Sequence, residues 1–584
     1  MSKTLLTIAS ILSKMFQAPP NDSGESQDDA NYAELLKQYT PKPEDLEKQR
    51  KRTFPNMPLI SIMMVATSES EKDLQATIDS IKSQTYALCE LCIAVKTDSN
   101  IDIKKFESIE NVRIVSANGT DKELLKAAEQ QVSGSYIMLM YPGDTLMPNA
   151  MFEFVSAINN YPIAEVFYCD EDELVNGERK NPKFKPDYSE DTLYSCNYID
   201  RGLLVARSLY DACGGLNAAT PMEEYDYLLR LAALATRIIH ISRPFYTKKR
   251  KAPVIDYSDG KTVINANLAR KKVKGYTVSG MYNGSFRVHF SLALKMIVGI
   301  VVISEGDMDE LKRTLESIED ITTYKDYRIL IPNNGTADVR LQRYFTALAN
   351  NKAAEIVQGF NPKSSFAEMC NKCAFGSNTG AVVVMRSGLD VFTPDWLESM
   401  LEFIEQPHIG MVGGKIVTPD NRIVHSGMVL GLGGWWDSPY FGEQDGFNNE
   451  RMNYFANTIR NTTALGSQCV MVNSSIFTSL GGFDESFRTH NTIIEFCIRC
   501  SRANLKNIYN PFVKFRYFAD ISRTFDEGKA AEADIERCYD IVRSYLIEGD
   551  PMYNANFDYA NVKPTVAKKP TPAILLNEHY KKIV

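Results

Sequence analysis

The stretch Leu74-Gln75-Ala76-Thr77-Ile78-Asp79-Ser80-Ile81 returns later in the chain as Leu311-Lys312-Arg313-Thr314-Leu315-Glu316-Ser317-Ile318. Each copy follows an apolar run, residues 59–65 in the first and 296–303 in the second. Further landmarks repeat in the same order. Gly134-Ser135-Tyr136-Ile137-Met138-Leu139-Met140 is matched by Thr379-Gly380-Ala381-Val382-Val383-Val384-Met385. Val205-Ala206-Arg207-Ser208, leading to Gly214-Gly215-Leu216, is matched by Val472-Asn473-Ser474-Ser475, leading to Gly481-Gly482-Phe483. Ordered landmarks at whole-domain spacing indicate an internal duplication, with a period too long for a solenoid. Apolar, β-branched runs alternate with helical patterns such as residues 71–84 and 122–131. That alternation predicts an α/β domain in each copy, a mostly parallel sheet with helices on both faces. Ligands of such sheets bind beyond the carboxyl ends of the strands. A site is therefore expected in the loops after Val65, Val95 and Met140, and after Ile303, Ile331 and Met385.

Bulk properties suit two domains. At 584 residues the chain exceeds what a single core serves. Hydrophobic residues make up 44% and charged ones 24%, an ordinary globular balance. The net charge of −8 offers no global attraction for nucleic acid, and no apolar run is long enough to span a bilayer. The cysteines, 11 in number and scattered, suit a reducing compartment better than a disulfide framework. Three pairs have Cys-x-x-Cys spacing: Cys89/Cys92, Cys370/Cys373 and Cys497/Cys500. Zinc needs four converging ligands. The first pair falls in a β-rich run, where residues three apart point to opposite faces, and the other two lie far apart in helical patterns. All three read as buried small hydrophobes.

Five segments are expected: an N-terminal amphipathic helix, acidic linker and helical lead-in over 1–56, a first α/β domain over 57–255, a connector over 256–293, a second domain over 294–548, and a C-terminal linker with a short tail helix over 549–584. Within residues 3–16, Leu5, Ile8, Leu12, Met15 and Phe16 share one helical stripe. Such a helix docks on a partner protein, on its own core or on a membrane surface. Residues 19–30 read as a flexible acidic linker and 563–572 as a Pro/Lys/Thr linker.

A set of motifs then occurs in order. Asp170-Glu171-Asp172 is followed by Asn181-Pro182-Lys183-Phe184-Lys185-Pro186-Asp187-Tyr188-Ser189-Glu190-Asp191 and by Glu223-Glu224-Tyr225-Asp226 with Leu229-Arg230. The second copy carries Thr393-Pro394-Asp395-Trp396-Leu397-Glu398, Val412-Gly413-Gly414-Lys415, Pro419-Asp420 and His425-Ser426-Gly427-Met428-Val429-Leu430-Gly431. From about residue 58 to about residue 547 the chain resembles the tandem family 2 glycosyltransferases that build bacterial surface polysaccharides. The resemblance implies two GT-A-type (nucleotide-diphospho-sugar transferase) domains, a cytoplasmic protein at or near the inner membrane face, a nucleotide sugar as donor and a glycan acceptor.

Such enzymes hold the donor diphosphate through Mn²⁺ or Mg²⁺ on an Asp-x-Asp signature, hard oxygen ligands for a hard cation. Here the two signature places hold Tyr141 and Gly143 in the first copy, and Arg386 and Gly388 in the second. Asp144 and Asp390, close by, are the remnant carboxylates. The nucleotide-reading aspartate gives way to Ala94-Val95-Lys96-Thr97 and to Pro332-Asn333-Asn334-Gly335, where Asn333 keeps a hydrogen-bonding amide. The place of the catalytic base holds Glu224 in the first copy and Ile493 in the second, with Glu495 two residues on as a weaker candidate. A late histidine of the family is Thr247 in the first copy. Arg386 either balances diphosphate charge without a cation or fills a vacated metal site. By resemblance the acceptor side comprises Asp170, Glu171, Asp172, Lys185, Asp187, Asp226, Asp420 and His425, with Trp435, Trp436, Tyr440 and Phe441 as stacking platforms for sugar rings. The same motifs equally serve to pin loops through carboxylate–backbone hydrogen bonds.

Donor motifs eroded in both copies argue against ordinary metal-dependent transfer. Three readings stay open. The chain is a glycosyltransferase of surface-polysaccharide or glycoprotein assembly, with Glu224 as base and with Mn²⁺ or Mg²⁺ and a nucleotide sugar as its requirements. Alternatively it is a non-catalytic pseudoenzyme that binds glycan or scaffolds assembly, or a structural protein whose terminal helices contact a protein partner. The residues themselves specify no complete metal-ligand set and no cofactor.

Overall fold

The computed structural model describes residues 24–217, 221–249, 257–434, 436–519 and 528–570. The amphipathic stretch 3–16, the tail 573–584 and Trp435 lie outside the described residues. Two large sheets form the framework. The first contains β1 (Ile60–Ala66), β2 (Cys89–Lys96), β3 (Val112–Ala117), β4 (Tyr136–Leu139), β5 (Thr145–Leu146), β6 (Val166–Val175), β7 (Glu178–Lys183), β8 (Leu203–Ala206) and β9 (Ile238–Lys248). Their order is β3-β2-β1-β4-β8-β6-β9-β5, with β7 paired to β6. A hairpin of β10 (Gly275–Ser279) and β11 (Phe286–Phe290) follows.

The second sheet contains β12 (Val298–Ile303), β13 (Tyr327–Pro332), β14 (Glu355–Val357), β15 (Ala381–Arg386), β16 (Leu389–Val391), β17 (Ile409–Val417) and β18 (Ile423–His425). A small hairpin, β19 (Val429–Leu430) with β20 (Trp436–Asp437), stands apart. β21 (Arg460–Thr462), β22 (Cys469–Asn473) and β23 (Lys506–Tyr517) return to the sheet. The order is β14-β13-β12-β15-β22-β17-β23-β16, the same path as in the first half, position for position. β1, β2, β3 and β4 pair in parallel, as do β12, β13, β14 and β15. β8 and β22 enter antiparallel. Both halves are therefore α/β domains on mixed sheets with a parallel core, as the alternation of apolar runs and helical patterns predicts.

The repeated octapeptide explains itself in three dimensions. In the helix Glu71–Lys82, Leu74, Thr77, Ile78 and Ile81 are buried. In Met308–Ile321 the matching Leu311, Thr314, Leu315 and Ile318 are buried. This i, i+3, i+4, i+7 stripe faces the sheet. Ser70 caps the first helix by accepting from the Asp73 N–H, and Asp307 caps the second by accepting from Asp309 and Glu310. All eleven cysteines are buried and unpaired, as small core hydrophobes.

The connector joins the halves. Its helix Gly260–Arg270 follows the first domain, and its hairpin β10–β11 packs on the helix Trp396–Ile404 of the second. Phe290 meets Phe403 edge-on at 5.4 Å, and Arg287 donates to Ser399 at 2.7 Å. Directly between the domains, Asn461 of β21 donates its side-chain amide to Asp191 at 2.8 Å, and its backbone N–H to Thr192 at 3.1 Å.

The two expected linkers differ from their reading. From Gly24 onward the acidic stretch is the start of a helix, Gly24–Tyr39. Asp28 pairs with Arg451 and accepts the Val566 N–H at 2.9 Å, while Tyr32 and Leu35 are fully buried. Residues 549–570 are packed rather than loose, with Val566 and Ala567 buried. Composition marks both stretches as polar, but each has its partner in the other and in the domain surfaces. That pairing is invisible in either stretch alone.

Candidate active site and the groups that fill it

The signature turn has the same anchor in both halves. The Thr77 hydroxyl accepts the Gly143 N–H at 2.8 Å and donates to the Asp144 carbonyl at 2.8 Å. The matching Thr314 hydroxyl accepts the Gly388 N–H at 3.0 Å. Gly143 and Gly388 have φ of 95° and 86°. This left-handed backbone favours glycine, and a Cβ at Gly388 would lie 2.8 Å from that of Ala519. A side chain at either place would be strained by this backbone, and at Gly388 it would also crowd Ala519. The sequence signal for the anchor was present, as the threonine of the repeated octapeptide.

In the first half, Tyr141 occupies the other signature place and donates its hydroxyl to Glu224. Arg201 also donates to Glu224, and its guanidinium lies 4.1 Å over the Tyr141 ring. Burial pushes the Glu224 carboxyl up, against the pull of Arg201. The candidate base therefore has a hydroxyl and a guanidinium already on its two oxygens. Asp144 is buried, with Tyr246 donating to one oxygen at 2.6 Å and the Lys249 N–H to the other at 3.0 Å. Burial raises its pKa. Arg201 and Tyr246 carried no distinguishing mark in the sequence. A cavity beside this group is lined by Leu139, Leu216, Tyr227 and Leu228 together with Arg201 and Glu224.

Asp170, Glu171 and Asp172 are fully buried. Glu171 pairs with Lys185 at 2.9 Å and Lys248 at 2.8 Å, and accepts the Arg201 N–H at 2.9 Å. Burial works against its charge, but Lys185 and Lys248 outweigh that and lower its pKa. Asp172 accepts from the Tyr32 hydroxyl and from Arg179 at 2.7 Å. Asp170 accepts from His240 at 2.9 Å, from the Lys185 N–H at 2.9 Å, and from the side-chain amides of Asn554 and Asn556. Asp187 lies 3.3 Å from the other ring nitrogen of His240, and its N–H donates to Pro551. The acidic triplet thus sits beneath the chain's own N-terminal helix and C-terminal segment.

In the second half, Arg386 is buried and pairs with Glu305, the residue two beyond β12. Ile493 is buried in the apolar core. Glu495 is held by both branches of Arg499 at 2.6 Å, and Arg499 in turn donates to the carbonyls of Leu480 and Gly482. Asp226 and Arg230 repeat this clamp in the first half, with Arg230 donating to the carbonyls of Cys213 and Gly215. Glu495 therefore corresponds to Asp226, and both tie a helix to its double-glycine turn.

His425 is buried with Nδ1 3.0 Å from the Gly414 carbonyl, and its Nε2 accepts the Gly466 N–H at 2.8 Å. Those partners place the ring proton on Nδ1, and burial pulls the pKa down to about 4. Asp420 is exposed in a turn with Thr418 and Arg422. Asn333 accepts the Gly335 N–H at 3.1 Å and donates to Gln358 at 3.2 Å. Trp436 is half-buried and packs on the apolar core of the second half. Tyr440 and Phe441 are buried, so neither is a platform for a sugar ring. They fill the hydrophobic core where their apolar surface is worth more than at a rim.

A divalent cation does not fit this set. The signature places hold a phenol and a guanidinium, Asp144 has both oxygens engaged inside the fold, and Asp390 faces Arg313 at 3.9 Å. Among the described residues no group of three or more His, Cys, Asp or Glu is disposed to hold a metal ion.

No family model matches the chain. It is 27% identical over 535 residues to the uncharacterized protein y4gI of Sinorhizobium fredii, covering 86% of this chain and 58% of that one. It is 25% identical over 517 residues to the O-antigen biosynthesis protein RfbC of Myxococcus xanthus, covering 85% of this chain and 40% of that one. The chain thus spans about half the length of these curated relatives. Among solved structures it is similar to GalNAc-T7 with UDP, GalNAc and Mn²⁺, with a TM-score of 0.36 and 11% identity over 45% of this chain and 51% of that one. It is also similar to S. aureus TarS 1-349 with UDP-GlcNAc, with a TM-score of 0.31 and 15% identity over 36% of this chain and 66% of that one. The strand order used twice and the ordered motifs make this chain a tandem of two α/β domains, similar in sequence to a named O-antigen biosynthesis protein.

Proposed function

We propose that the chain is a family 2 glycosyltransferase-like protein of bacterial surface-glycan assembly that has given up metal-dependent transfer in both halves and acts there as a non-catalytic binding or scaffolding component. The observation that carries this reading is the linkage of Tyr141, Glu224 and Arg201. A base must be free to take a proton from an acceptor hydroxyl in the transition state. Here both oxygens of Glu224 are committed to internal donors, one of them from the signature place itself. The Arg386–Glu305 pair supports the same reading for the second half, because a guanidinium already paired with a carboxylate is not available to a diphosphate. The O-antigen name of one relative supports the pathway class. No helix among the described residues is long and apolar enough to cross a membrane, and we place the protein in the cytoplasm, at or near the inner face.

Calorimetric titration with UDP, GDP and dTDP, each with and without Mn²⁺, tests the proposal. Absence of metal-dependent binding is the expected result. Micromolar binding that requires Mn²⁺ overturns it, as does transfer of sugar from any nucleotide donor that is lost in Glu224→Gln.

A further inference from the structure

At the outer edge of the second sheet, β16 pairs antiparallel with β23, with Asp390 opposite Arg516 and Leu389 opposite Tyr517. Strand alternation sends Leu389, Val391, Phe515 and Tyr517 inward, where all are buried. The opposite face presents Asp390, Arg516, Lys514 and the flanking Phe392 and Phe518. The two phenyl rings are 47% and 38% exposed. The Arg516 guanidinium lies 4.3 Å from the centre of the Phe392 ring, and the Arg313 guanidinium lies 4.3 Å from that of Phe518. Arg313 also approaches Asp390 at 3.9 Å. Lys514 is committed to Asn421 and Asp445, at 3.0 Å each. The Arg516 guanidinium makes no hydrogen bond or ion pair among the described residues, so its five N–H donors are unspent.

The first half supplies an internal comparison. The backbone bond from Phe392 to Lys514 is matched there by one from Met147 to Phe245. Met147 and Phe245 are both buried, and Thr145 stands opposite Thr247 where the second half sets Asp390 opposite Arg516. At these matched strand positions the exposed rings with stacked guanidinium groups are a feature of the second half.

A guanidinium stacked on a ring loses little freedom when it takes a carboxylate through two parallel N–H···O bonds. A neighbouring phenyl surface suits the apolar C–H face of a sugar. We infer that this face binds an acidic saccharide, its carboxylate on Arg516 and Arg313 and its ring against Phe392 and Phe518. Two guanidinium groups offset by one carboxylate are far fewer cations than a nucleic acid backbone site uses. The inference does not depend on whether either half transfers sugar.

The test is titration of the full chain with hexagalacturonate, maltohexaose, inorganic phosphate and a short single-stranded RNA. Hexagalacturonate is expected to bind, more weakly as salt rises, and maltohexaose is not. Arg516→Ala and Phe392→Ala are each expected to weaken binding by about tenfold or more with unchanged melting temperature. Failure of hexagalacturonate to bind overturns the inference, as does binding unaffected by Arg516→Ala. Equal affinity for maltohexaose overturns it by removing the role of charge, and equal affinity for phosphate by removing that of the rings. Tighter binding of RNA that shares the Arg516 dependence reassigns the face and overturns it too.

Discussion

Asn554 donates its side-chain amide to both carboxylate oxygens of Asp170, at 3.1 and 3.0 Å, across 384 residues of chain. The contact ties the C-terminal segment to the first domain. The same segment is tied to the second domain through Asp550, which accepts the Leu430 N–H at 2.8 Å and the Thr463 hydroxyl. The two domains and both terminal segments therefore share one buried polar seam, roofed by the aromatic cluster of Tyr32, Phe184, Phe455, Tyr553 and Phe557.

Asn554→Leu leaves a buried carboxylate short of donors. A loss of about 1–3 kcal/mol is expected, read as an earlier urea midpoint. An unchanged midpoint would show that the segment contributes nothing to the fold.

Glu224→Gln removes the charge that the Arg201 guanidinium faces. Breaking a largely buried pair from one side costs about 3–5 kcal/mol. Tyr141→Phe is expected to cost less, and the two changes to be non-additive because they act on one network. A double-mutant cycle in urea unfolding measures the coupling. Additive costs would show that the hydroxyl and the carboxylate do not act together.

Two histidines are expected to make opposing contributions to the pH dependence of stability on either side of about pH 6.5. Burial pulls the pKa of His240 down, but Asp170 and Asp187 outweigh it and raise the pKa to about 9. Its contribution is complete below the ordinary value of about 6.5 and is lost as pH rises toward 9. His425, depressed to about 4, contributes fully above about 6.5 and loses that contribution as pH falls toward 4. Melting curves from pH 4 to 9 on the wild type, His240→Gln and His425→Gln check both limbs, each variant flattening one of them.

Asp226→Asn and Glu495→Gln are expected to lower stability by similar amounts, about 1–3 kcal/mol each, because each loosens the same arginine clamp on a double-glycine turn. Neither is expected to change the titrations of nucleotides. A selective effect of Glu495→Gln on ligand binding would restore it as a functional carboxylate.

The duplication, the α/β class and the sheet-facing stripe of each first helix were legible in the residues. A 3.6-residue period and an apolar strand run are local properties, and an eight-residue repeat reports them directly. The departures from the resembled family's donor motif were also legible, since Tyr141, Arg386 and Ile493 differ in chemistry from the residues expected at those places. Only the tertiary structure decided what those replacements do. Tyr141 meets Glu224, Arg386 meets Glu305, and Asp170 meets Asn554 through chain reversals that no local pattern encodes. The polar terminal stretches likewise look like linkers until each finds its partners, because a side chain's composition states what it can bond to and the fold alone states what lies within reach.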